Sequence, residues 1–72
     1  MRLARRVREF RILKRLTQEQ LAFESGLHRT FVAHVERGVR NISIDNIEKL
    51  ATALGVRCED LFHEESGRAP DF

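Results

Sequence analysis

The stretch Thr17–Gly38, TQEQLAFESGLHRTFVAHVERG, decides the fold. It reads as two short helices around a tight turn at Ser25-Gly26. Thr17 is a good N-cap, and Gln20 three residues on completes a capping box. Gly26 permits the left-handed backbone that a sharp turn requires. Leu21 and Ala22 face inward from the first of these helices, and Val32 and Val35 from the second. Small Ala22 lets the two approach closely. That geometry presents the second helix to the outside. On a small basic domain, a helix presented so suggests the major groove of DNA.

Upstream, Leu3, Val7, Phe10 and Leu13 recur at three- and four-residue steps and predict a first helix over Leu3–Arg15 with one apolar stripe. Ile12 lies off that stripe. Leu16 stands just before the cap, where a hydrophobic staple sits. The next helix covers Gln18–Ser25. The one after it begins at His28 or Arg29, neither a strong N-cap, and ends at Arg37 with Gly38 as C-cap. Val39–Ser43 reads as a loop. Ser43 caps a fourth helix, and Asp45 in its first turn complements the helix dipole. Ile44, Ile47, Leu50, Ala51 and Leu54 give that helix an apolar face, and Gly55 ends it. A short fifth helix is expected near Cys58–His63, and residues 64–72 read as a polar tail. With no strand pattern and no internal repeat, the expected architecture is all-α: five helices around one core, spanning residues 1–63.

A chain of 72 residues is one domain. The lone Cys58 rules out an internal disulfide and suits a reducing compartment, so a cytoplasmic location is expected. No signal peptide is evident, and no apolar run approaches the roughly 20 residues of a membrane span. Folding at this size buries only about 60% of the unfolded surface, so a homodimer is a plausible stabiliser. The formal charge of +2 hides an asymmetry. Residues 1–15 carry seven basic side chains against Glu9 alone, and residues 16–72 carry six basic and ten acidic. Either the basic helix is a solvated face or it forms a positive end that meets phosphate. His28, His34 and His63 with one cysteine do not make a metal set. Nothing resembles a nucleophile–base group, a paired-carboxylate site or a phosphate-cradling loop, so an enzyme is not expected, and neither a cofactor nor a small-molecule ligand is implied.

The segments TQEQLA, SGL, VERG and ISIDNIEKLATALGV resemble the XRE family of lambda-repressor-like helix-turn-helix regulators, over about residues 5–62. HRTF followed by VERG and RNIS is most similar to the small controller proteins of restriction-modification systems, which are dimeric regulators. The chain departs from the family pattern at Arg15, where many relatives have Gly, which predicts a turn that is either strained or differently shaped there. It departs again at Phe31, where relatives often have Tyr.

Helical spacing turns Arg29, Thr30, Ala33, His34 and Arg37 outward from the second helix of the motif. Arg29, Thr30, Ala33 and His34 are the candidate base readers. Arg29 leads because its guanidinium can bond guanine O6 and N7 together. Thr30 and Ala33 can touch a thymine methyl, and His34 can reach a base edge one turn further on. The resemblance gives Gln18, at a helix N-terminus, a phosphate. Arg37, Arg40, Asn41 and Ser43 are placed for further backbone contact, as is Phe31, without the hydroxyl of Tyr. The resemblance also implies a structural ion pair between Arg11 and Glu36. The implied function is a regulator that binds a near-palindromic double-stranded operator as a homodimer. The outer residues of the fourth helix, Leu61 and Phe62 are candidates for the dimer surface, or else Leu61 and Phe62 close the monomer core. The alternative is an antitoxin or protein-interaction module on the same fold.

Overall fold

The computed structural model describes residues 2–38 and 42–62. Four α-helices and one 3-10 turn make up this part of the chain: α1 Arg2–Leu13, α2 Gln18–Ser25, α3 Arg29–Arg37, α4 Ile44–Leu54 and the turn Cys58–Leu61. The architecture is all-α. The fifth element is one 3-10 turn rather than an α-helix, and the tail and His63 lie outside the described residues. Helix α2 packs against α3 and α4, while α1 packs against α3, α4 and the 3-10 turn.

Every element gives side chains to the core, from Leu61 alone in the 3-10 turn to Ile47, Leu50, Ala51 and Leu54 in α4. Val7, Leu21, Val32, Leu50, Leu54 and Leu61 are its largest fully buried side chains. Each such burial contributes roughly 1.5–3 kcal/mol from apolar surface removed from water. Leu16, Leu27, Phe31 and Ile42 close the edges of this cluster as half-buried residues.

The caps form where local chemistry places them. Thr17 Oγ1 accepts from Gln20 N at 3.0 Å, and Gln20 Oε1 accepts from Thr17 N at 2.8 Å. Ser43 Oγ accepts from Asn46 N at 3.2 Å and starts α4. Gly26, at φ 74°, ends α2, and Leu27 N donates to Ala22 O at 3.0 Å. The N-cap position of α3, His28, makes no side-chain cap bond.

The first helix differs from expectation at its end. It stops at Leu13, and Arg15 takes φ 61°. Arg15 N donates to Ile12 O at 2.9 Å, and Leu16 N donates to Arg11 O at 3.0 Å. This is the Schellman pattern, with an arginine in the position that glycine fills most easily. The reversal carries Leu16 onto the core and leaves Leu13 75% exposed. Leu13 is therefore not part of the buried stripe, because the helix outruns the elements it packs on. Leu61, a candidate for the dimer surface, is instead fully buried inside the single chain. It closes the core, while neighbouring Phe62 remains 45% exposed.

Arginines of α1 also do more than coat a solvated face. The Arg6 guanidinium lies 4.6 Å from the Phe10 ring centroid, its Nε donates to Asp60 O at 3.2 Å, and its Nη1 meets Glu9 Oε1 at 3.1 Å. It ties α1 to the 3-10 turn.

Candidate nucleic-acid interface

Helix α3 has two unlike faces because its apolar residues repeat at helical spacing. Val32 and Val35 are buried. Arg29, Thr30 and Arg37 are exposed, and Ala33 and His34 are half-buried. The open face thus carries two guanidiniums, a hydroxyl, an imidazole and a small methyl group. Those groups suit base edges and thymine methyls in a major groove. Phe31 sits between the two faces, half-buried against the core. Its ring has no polar atom, so it can offer a phosphate only apolar contact.

Beside this face lies a shallow cleft lined by Arg11, Arg15, Leu16, Thr17, Gln18, Glu19 and Arg29. It brings Gln18, at the start of α2, next to Arg29, at the start of α3. The free N–H groups at a helix start favour an anion. Arg15 joins the cleft, although the sequence marks its position only for backbone shape. The departure from Gly was the available sign, and only the fold shows where the side chain goes.

A carboxylate holds the three helices together here. Arg11 Nε donates to Glu36 Oε2 at 2.6 Å, and Arg11 Nη2 donates to Glu36 Oε1 at 3.1 Å. Arg11 Nη1 also donates to Leu16 O at 2.8 Å, so its guanidinium is committed to the fold. Gln18 Nε2 donates to the same Glu36 Oε1 at 3.0 Å. Nothing in the sequence spacing signals this last bond, since it joins residues 18 apart across two helices.

The remaining candidates are placed as follows. Ser43 is exposed, and its oxygen caps α4 while its O–H stays able to donate. Arg40 and Asn41 lie outside the described residues. Among the described residues, no group of three or more His, Cys, Asp or Glu gathers as a metal set. No described helix is long and apolar enough to cross a membrane.

Comparison with known proteins places this geometry. A family model for helix-turn-helix domains, HTH_3, matches residues 7–61. The chain is 54% identical over 57 residues to Control protein C.BamHI of Bacillus amyloliquefaciens, covering 78% of this chain and 70% of that one. It superposes on the restriction-modification controller protein C.AhdI from Aeromonas hydrophila with a TM-score of 0.83 and 54% identity, covering 85% of this chain and 92% of that one. It superposes on the biofilm regulator SinR, solved in complex with DNA, with a TM-score of 0.81 and 26% identity, covering 85% and 98%.

Proposed function

We propose, from the premise that the chain belongs to the HTH_3 helix-turn-helix family of non-enzymatic DNA-binding transcriptional regulators, that it binds a near-palindromic operator as a homodimer and controls restriction-modification genes. The observation that carries the reading is the open face of α3 beside the cleft at Gln18. In this reading two α3 helices enter successive major grooves about 34 Å apart. Arg29 reads guanine, Thr30 and Ala33 meet thymine methyls, and His34 reaches a base edge further along. Gln18, Arg37, Arg40, Asn41 and Ser43 hold the backbone and fix register without carrying sequence information. Phe31 adds apolar contact to the same strand.

Two features support the controller role and the dimer. Of the two relatives at 54% identity, one is named a control protein and the other a restriction-modification controller protein. Phe62, after the 3-10 turn, and Ile44, at the start of α4, are large apolar side chains left exposed on the single chain, and a second copy would cover such surface. Selection from a random pool of duplexes tests the operator. The expected product is one enriched motif with two related half-sites about one helical turn apart. A pool that stays unenriched, or a single unpaired half-site, would overturn the dimeric operator.

A further inference from the structure

Glu36 stands where α1, α2 and α3 meet, with a side chain only 4% exposed. Pairing with Arg11 accounts for its charge. It does not account for Gln18, whose amide nitrogen takes a share of the same Oε1. An amide can face a neighbour nitrogen-first or oxygen-first. A carboxylate only accepts, so it attracts the N–H end and repels the carbonyl oxygen. A phosphate also only accepts, so of the two ends of Gln18 only the N–H end can serve it. The nitrogen carries two hydrogens, and Glu36 uses one.

We infer that Glu36 is a positioning residue for the phosphate contact of Gln18. It holds the amide in the orientation that aims the second N–H outward. It also ties that amide to the last turn of α3, so the backbone anchor and the base-reading face keep one spacing. A side chain held this way loses less rotamer freedom when DNA binds. The inference rests on the DNA-binding reading above.

The test measures how much DNA affinity depends on Gln18, with and without Glu36. The background without it is Arg11→Met/Glu36→Met. Replacing both members of a buried ion pair by apolar side chains is often neutral or stabilising, so this background keeps the fold, checked by circular dichroism. Affinity is read by fluorescence anisotropy on a selected duplex and on a random one. Gln18→Ala in the wild type is expected to weaken binding about tenfold, the worth of one charge-assisted hydrogen bond. In the Met/Met background the same change is expected to cost less than about twofold, because the amide is no longer held. Glu36→Gln keeps a neutral oxygen acceptor at the same reach and is expected to retain most of the tenfold dependence. An unreduced tenfold cost in the folded Met/Met background overturns the inference and leaves DNA binding intact. A wild-type chain that binds neither duplex overturns the DNA-binding reading and this inference with it.

Discussion

Arg15 closes α1 with φ 61°, so the Arg15→Gly exchange separates backbone strain from side-chain contact. A left-handed conformation costs an L residue other than glycine roughly 1–2 kcal/mol. Glycine removes that cost but gives the unfolded chain more freedom, worth about 0.4–1 kcal/mol against folding. Arg15 is exposed and its side chain makes no hydrogen bond or ion pair among the described residues, so little contact is lost. Strain relief wins, by about 0.5–1 kcal/mol. For a domain of this size that raises the melting temperature by about 2–8 °C. Thermal denaturation followed by circular dichroism reads the shift, with Arg15→Ala as the control. Alanine shortens the side chain without relieving φ and should leave the melting temperature nearly unchanged. If both variants melt alike, or if the glycine variant melts lower, Arg15 is not strained and the account of the α1 end is wrong.

Three further outcomes are expected. Leu50→Ala empties the centre of the core and should cost about 2–5 kcal/mol, measured by urea denaturation. Phe62→Ser should shift the proposed homodimer toward monomer in sedimentation at micromolar concentration, whereas an unchanged dimer would move the interface away from this side chain. Gln18→Ala should weaken binding by a similar factor on selected and random duplexes, since phosphate contacts carry no sequence information, and a loss confined to the selected duplex would reassign Gln18 to base reading.

Much of the fold is legible in the sequence because its signals are local. Thr17 and Gln20 satisfy each other's backbone within one turn, and Ser43 does the same for Asn46, so both helix starts fall where the residue types place them. Val32 and Val35 fix the buried side of α3 by spacing alone, which turns Arg29, Thr30 and Arg37 outward. Leu13 escapes this logic, because periodicity says which side a residue faces and not whether anything lies opposite. The turn at Arg15 decides that, and it favours Leu16. Leu61 and Phe62 are adjacent and equally apolar, and only the direction of the 3-10 turn buries one and exposes the other. The Gln18–Glu36 bond and the part Arg6 plays at Asp60 are tertiary events between distant residues, and no spacing rule carries them.

The claim at the centre is that the open face of α3 reads sequence, and Arg29→Ala tests it most directly. Its binding is compared with that of the wild type on the duplex enriched by selection and on random DNA, at one fixed salt concentration. The expected loss is about 1–3 kcal/mol on the enriched duplex and little on random DNA. An equal loss on both would make Arg29 a phosphate contact and contradict its role as a base reader.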